Sequence, residues 1–524
     1  MFQVPFSHDD CAILDKYLGC LLGMAVGDAY GTTFEFIPRH GISENDLTEN
    51  LVGGGKFRLM KGMFTDDTSM ALLQAESLLR EDHHSGIDIL ESLKNYPMDA
   101  PSSHDQKTSW IEKMICDHTL LDGRDIQNRF LEWYNEGHLS ASGHCFDIGK
   151  TTLVHLLKNE KTKAAFCPVA NWNDQASGNG ALMRLAPVPL YYYNFYVKLM
   201  ANRQDQDENS KQLCEKVLHR VITESGISAF TTHPSELAFD CNRYMTALMI
   251  GCMQGATKED LFKDASKEQS EEYQLLFVPH GLPRNYWEQF PLRKEVREMI
   301  QNFKSKSSDE IVNSGYAVTA FEAALWAFTS TNSYFEGLKK VVRLGDDADT
   351  IACVYGQLAG CFYGVNGIPE HLISQLVFKD LLKIIAKELY YGGNAGATTI
   401  VKGQDDEEKE MMSTHVIYKN VMSLYYNLEN SYKDIHRRSN PCPKQFKTIE
   451  EFDLAVSQMI QEFEKHQAEI LLTLETSLKE FVLSISNSIL QDFKTRCDCF
   501  TKPPLQDRLN RFTVPQSRPL IKLQ

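Results

Sequence analysis

Two short stretches, far apart in the chain, concentrate the residue types that hold hard cations. One is Phe64-Thr65-Asp66-Asp67-Thr68, and the other is Arg343-Leu344-Gly345-Asp346-Asp347-Ala348-Asp349-Thr350. Each sets hydroxyl and carboxylate oxygens side by side: Thr65 with Asp66 and Asp67, Thr350 with Asp347 and Asp349. Magnesium and manganese prefer oxygens of this kind, together with water. Each stretch also opens an apolar helical pattern, Met70, Leu72, Leu73 and Ala75 after the first, Ile351, Ala352, Val354 and Leu358 after the second. A helix start leaves backbone N–H groups free and favours negative charge, so either stretch alone also reads as an acidic cap. Two such stretches suggest the halves of a binuclear site, because metals about 3.5–4 Å apart need carboxylates from separate elements.

Weaker candidates lie before and between them. Glu35, in Thr32-Thr33-Phe34-Glu35-Phe36, is a candidate base or lid residue, although a lone carboxylate is more often a surface charge. Ser177-Gly178-Asn179-Gly180 is a small-residue loop whose backbone a phosphate or ribose could approach closely. His233 precedes Pro234 at the start of a helical pattern, and a histidine in that setting is usually structural. Gly149-Lys150-Thr151-Thr152 imitates the end of a P-loop, but the glycine required five residues earlier is His144 and no strand precedes it.

The elements that must carry these residues are helical. Cys11 to Met24 has Ile13, Tyr17, Cys20, Leu21 and Met24 on one face. Glycines at 19, 23, 27 and 31 continue it as a stripe, which suits a tightly packed core helix; Asp28 and the short apolar length argue against a membrane dimer. Ser314 to Thr329 reads as a buried helix leading into the second acidic stretch. Helical patterns dominate throughout and alternating strands are scarce, so the expected fold is all-α.

The 524-residue chain, 43% hydrophobic, can bury a large core and hold more than one domain. Its net charge of −16 argues against a nucleic-acid-binding surface. No apolar run reaches the roughly 18 residues of a membrane span, and the N-terminus lacks the pattern of a signal peptide. The 13 cysteines are scattered without a CxxC pair, so a cytoplasmic setting with reduced thiols is expected. After Tyr390 a glycine-rich stretch and the charged run Asp405 to Glu410 mark a boundary. The expected division is a catalytic domain over 1–398, a linker with a short helix over 399–447, and a helical extension over 448–524. The amphipathic pattern from Ile449 to Ile489 is compatible with a bent helix, a hairpin or a coiled coil.

GCLLGMAVGDAYGTTFEF, FTDDTSMAL, FDIGKTT, SGNGALMRLAPVPL, TTHPS and GDDADTIACVYGQLAGCFYG occur in that order over about residues 12–395. Together they resemble the ADP-ribosylglycohydrolase family, which includes the dinitrogenase-reductase-activating glycohydrolases and the ADP-ribosyl-arginine and ADP-ribosyl-serine hydrolases. The resemblance implies a compact orthogonal helical bundle with a cleft holding two Mg2+ or Mn2+ ions. By position it implies Thr65, Asp66, Asp67, Asp347, Asp349 and Thr350 as metal ligands. It places Glu35 as the mobile-loop glutamate, Asp147 and Gly149 near the substrate ribose, and Ser177, Gly178, Asn179, Gly180 and His233 around ADP-ribose. The implied activity is removal of ADP-ribose from a modified protein, foremost from arginine, with catalysis by Glu35, Asp66 and Asp67 and with Glu35 or Asp67 as the base. The alternatives are a non-catalytic ADP-ribose-binding module and a hydrolase of ADP-ribosyl-serine or of a free ADP-ribose derivative. One departure stands out: Asp346 occupies a position where the family commonly has a second glycine.

Overall fold

The glycine stripe turns out to be the joint of the fold. The computed structural model describes residues 10–80, 91–93, 95–98, 104–168, 174–201, 208–262, 276–391, 418–431, 449–474 and 476–501. In it helix α1 (Asp10–Gly31) runs without a break through all four glycines. Against it, antiparallel, lies the helix that follows the second acidic stretch, Ala348–Tyr363. Gly19 faces Gly360, Gly23 faces Gly356, Gly27 faces Ala352 and Gly31 faces Ala348, each so closely that a Cβ would strike the partner's backbone. Missing side chains thus let the two backbones touch, and that contact sets Asp28 beside Asp349. Tyr334 secures the pair by donating its hydroxyl to the Gly23 carbonyl at 2.6 Å.

Helix α2 (Asp66–Leu78) follows the first acidic stretch and is buried at every position. The chain continues through α3 (Lys150–Thr162), α4 (Pro187–Ala201), α5 (Glu208–Ile227), α6 (Glu236–Met253), α7 (Ala317–Thr329) and α8 (Tyr334–Val342) to α9 (Ala348–Tyr363, the partner of α1) and then α10 (Lys379–Tyr391). Gln357 of α9 bonds to the chain just before α4, accepting from Ala186 N at 2.9 Å and donating to the Met183 carbonyl at 2.7 Å. Among the described residues there is no strand, only isolated bridges such as Pro38 with Gly345 and Gly178 with Tyr316. The fold is all-α. No helix among the described residues is long and apolar enough to cross a membrane.

The chain divides into two compact units, Met1–His415 and Val416–Gln524. The second contains a helix over 418–431 (α11) and two longer helices, α12 (Ile449–Thr473) and α13 (Thr476–Thr501), which pair as a hairpin. Phe463, Val482, Ile489 and Phe493 are buried there, and Tyr425 of α11 meets the Phe493 ring edge-on at 5.8 Å. Leu454, Leu472 and Leu483 of the amphipathic pattern remain exposed. Of the expected linker, 399–417 and 432–447 lie outside the described residues.

Candidate functional site

Helix α2 starts at the site, and its cap comes from another helix. Thr65 is the N-cap residue but makes no capping bond of its own. The buried Asp28 of α1 takes over: Oδ1 accepts from Thr65 N and Oγ1 at 2.9 and 3.0 Å, and Oδ2 from Thr68 N and Oγ1 at 3.0 and 2.6 Å. Four donors on one carboxylate satisfy amides that a helix start leaves free, and they tie the Thr65–Thr68 turn to α1. Thr65 Oγ1 also lies 2.9 Å from Asp67 Oδ2 and 3.4 Å from Asp349 Oδ2. The two acidic stretches meet there, although they are far apart in sequence.

From the other side, α9 begins with Asp347 as its N-cap residue. Asn179 Nδ2 donates to Asp347 Oδ2 at 2.6 Å, and Thr350 adds a further hydrogen bond. Carboxylate oxygens of Asp28, Asp67 and Asp349 lie within 4.8 Å of one another, and so do those of Glu35, Asp347 and Asp349. Asp349 belongs to both groups. The α2 and α9 N-termini both point at this cluster, and their dipoles favour negative charge.

The cluster is unfavourable as bare carboxylates. Buried Glu35 Oε2, Asp67 Oδ1 and Asp349 Oδ1 have no hydrogen-bond donor. The strongest charges acting on Glu35, Asp66, Asp67 and Asp349 are those of neighbouring carboxylates. Burial, then Asp147 and Asp347, push Glu35 up to about 10. Burial, then Asp347 and Asp28, push Asp147 up to about 8. Burial raises Asp28 to about 6 against the pull of its four hydrogen bonds. Orphaned, oxygen-only acceptors of like charge are the donor set that suits a hard divalent cation, so the residues present fit one.

A pH dependence follows. A carboxyl group with a raised folded-state value stabilises the fold fully below its unfolded value and progressively less as pH rises through the folded one. In EDTA, the melting temperature is expected to fall as the pH goes from about 6 to about 8, the window set by Asp28 and Asp147. Added Mn2+ competes with those protons and is expected to raise the melting temperature more at about pH 8 than at about pH 6. A thermal-shift series shows both effects, and a chelated protein that melts higher at the higher pH contradicts them.

Above the acids opens a cleft of about 640 Å³, lined among others by Glu35, Phe36, Asp66, Asp147, Gly149, Lys150, Thr152, Gly178, Asn179, Gly180, His233, Asp347 and Thr350. One wall is the N-terminus of α3, where Gly149 is the N-cap residue. The Gly-Lys-Thr-Thr sequence is therefore a helix start on the cleft and not a P-loop. Gly178 and Gly180 flank the His233 ring, and a Cβ on either would come within 3.0–3.1 Å of it. The ring is buried and its pKa lies well below the usual histidine range, through burial and then the nearby Arg184. Arg184 Nη2 donates to Thr232 Oγ1 at 2.7 Å, and that oxygen lies 2.8 Å from His233 Nδ1. Because arginine only donates, Thr232 Oγ1 keeps its own proton and a second lone pair, and so can serve His233 Nδ1 as donor or acceptor.

The cleft gathers most of the expected residues. Asp67 and Asp349 lie beneath it, in the buried acid cluster. Ser177 does not line it: its buried hydroxyl sits 2.6 Å from Ser235 Oγ, which caps α6. Asp346 is exposed at the rim in a left-handed backbone (φ 52), the conformation for which glycine is favoured. Asp147 is left-handed as well, at φ 60, and is in hydrogen-bond reach of Glu35 and Asp349. Sequence reasoning missed Asp28 and Arg184 as parts of the site. A charged residue on the most glycine-rich stripe of a core helix was the available signal for Asp28.

The ADP-ribosylglycohydrolase family model matches residues 9–397. The chain is 30% identical over 381 residues to the ADP-ribosylarginine hydrolase Tri1 of Serratia proteamaculans, with 72% of this chain and 80% of that protein covered. It is likewise 30% identical over 380 residues to the ADP-ribosylarginine hydrolase Tri1 of Pseudomonas putida, with 72% and 78% covered. To the ADP-ribosyl-[dinitrogen reductase] glycohydrolase of Rhodospirillum rubrum it is 23% identical over 369 residues, with 70% and 92% covered.

Proposed function

Because the chain belongs to the ADP-ribosylglycohydrolase family, we propose that it hydrolyses the N-glycosidic bond between ADP-ribose and an arginine of a modified protein, with two Mg2+ or Mn2+ ions bound. The observation that carries this is the convergence on Asp349 of two carboxylate groups supplied by the two acidic stretches and their neighbours. Thr65, Asp66, Asp67, Asp347, Asp349 and Thr350 hold the ions. Asp28 holds the Thr65–Thr68 turn that presents three of them. Bound ions supply neutralisation of the acids and Lewis-acid polarisation of oxygen.

The chain's own residues do the rest. The α3 N-terminus with Lys150 offers positive charge to the diphosphate. His233 lines the cleft beside Gly178 and Gly180, where only a backbone without side chains leaves room. Asp147 stands where a ribose hydroxyl can donate to it. In the reaction a water oxygen bonds to the anomeric carbon as the carbon–nitrogen bond to the guanidino group breaks. A carboxylate takes one water proton and the leaving nitrogen gains a proton. Glu35 is the better placed of the two candidates, since it lines the cleft while Asp67 does not, and bound cations would lower its raised pKa so that it can accept.

The direct test incubates the full-length protein with ADP-ribosyl-arginine and ADP-ribosyl-serine peptides, with Mg2+ or with EDTA, and measures released ADP-ribose. Release from the arginine peptide only, and only with the cation, is expected. Equal release in EDTA contradicts the metal requirement, and release from serine alone contradicts the substrate.

A further inference from the structure

Phe36 follows the glutamate at the cleft mouth, and its backbone is in a costly state. Its φ is 61, a left-handed conformation that a bulky residue rarely adopts and that is strained. The neighbouring chain imposes it: Phe36 N donates to the Asp346 carbonyl at 2.7 Å, and Asp346 N donates to the Ile37 carbonyl at 2.8 Å. Burial does not repay that cost, because the side chain is 60% exposed. The ring lines the cleft and is backed by Phe57, edge-on at 6.3 Å, which is itself in contact with Phe146 at 5.2 Å. An aromatic face is thus held out of the core, supported from behind, in a cleft that Glu35, Asp346 and Asp347 also line.

We infer that Phe36 is the face on which the guanidinium group of the departing arginine stacks, which makes it a specificity-determining residue for the arginine linkage. Guanidinium is planar, cationic and weakly hydrated, and it stacks on aromatic rings. The acidic rim adds charge complementarity. A serine linkage brings no cation to this position. Adenine also stacks on rings, so the test separates the two. The assignment rests on the proposed arginine-linked substrate, so the test includes a binding arm that does not depend on turnover.

The full-length protein is compared with Phe36→Leu, which keeps an apolar side chain without a π-face, and with Phe36→Tyr, which keeps the face. Binding of methylguanidinium is followed by saturation-transfer NMR, binding of ADP-ribose by calorimetry, and KM on the arginine-linked peptide by released ADP-ribose. Phe36→Leu is expected to weaken methylguanidinium binding and raise KM by about two- to thirtyfold. That is the fold-change a cation–π contact of about 0.5–2 kcal/mol produces at about 1.4 kcal/mol per decade. Phe36→Tyr restores both, and the ADP-ribose Kd stays within about twofold across the three. Equal methylguanidinium binding by Phe36→Leu and the parent overturns the assignment, as does a parallel loss of ADP-ribose affinity, which would put adenine on the ring. A parent protein that releases no ADP-ribose from the arginine peptide overturns the proposed activity, and the methylguanidinium comparison still decides the role of Phe36.

Discussion

Asp349→Ala is expected to reduce release of ADP-ribose from an arginine-linked peptide by about three orders of magnitude while the fold persists. Asp349 is the carboxylate common to both acidic groups, so its loss would weaken both of the proposed cation positions together. Metal stabilisation of developing charge is worth several kcal/mol, and each 1.36 kcal/mol is tenfold in rate. The fold is expected to survive because the side chain removed is a repelled one: burial and then Asp67 hold it far from its ordinary ionisation. In EDTA the variant should melt at or above the parent temperature, and in Mn2+ below it. Activity within tenfold of the parent at saturating Mg2+ would remove Asp349 from the site.

Gly27→Ala is expected to destabilise the protein by overpacking the α1–α9 joint. The new Cβ would be driven into the Ala352 carbonyl, with the Ala352 carbonyl carbon 2.6 Å away. Both obstacles are backbone, so no side chain can rotate aside. Overpacking of a rigid core typically costs about 1–3 kcal/mol and occasionally more, against a gain in helix propensity of at most about 1 kcal/mol. The only escape is to separate the helices, and that moves Asp28 away from Asp349. Chemical denaturation and ADP-ribose release should therefore fall together. Gly149→Ala is the contrast: its Cβ would meet only Thr152 Oγ1, at 3.8 Å, and its stability is expected to change by no more than about 0.5 kcal/mol. Equal stability of the two variants would mean that the joint yields more easily than its geometry implies.

The parts of the site written locally were legible in the sequence. Hydroxyls and carboxylates next to a helix start declare both what they can bind and where the backbone turns, so Thr65–Asp67 and Asp347–Thr350 could be read without coordinates. The glycine stripe declared a close approach, although not the partner; that took the antiparallel match of Gly23 with Gly356 and Gly19 with Gly360. Asp28 was hidden because its task, capping a helix that starts 38 residues later, is a tertiary one. Ser177 misled because a loop of small residues gives no sign of which way each side chain turns, and this one turns to Ser235. No propensity forecasts a left-handed phenylalanine, so Phe36 needed the hydrogen bonds to Asp346 and Ile37 to stand out.

The antiparallel joint of α1 and α9 also sets the order of events during synthesis. α1 is made before α9, and the surface that covers its glycines arrives more than 300 residues later. At about 5–20 residues per second, a ribosome takes roughly 15–60 s to supply it. Throughout that interval the stripe, with the Asp28 carboxylate on it, has no native neighbour on α9. The nascent chain must therefore keep this helix from wrong partners for far longer than a helix needs to form, which is about a microsecond. A chaperone captured on stalled chains ending before Ala348 should be released once the chain extends past Tyr363.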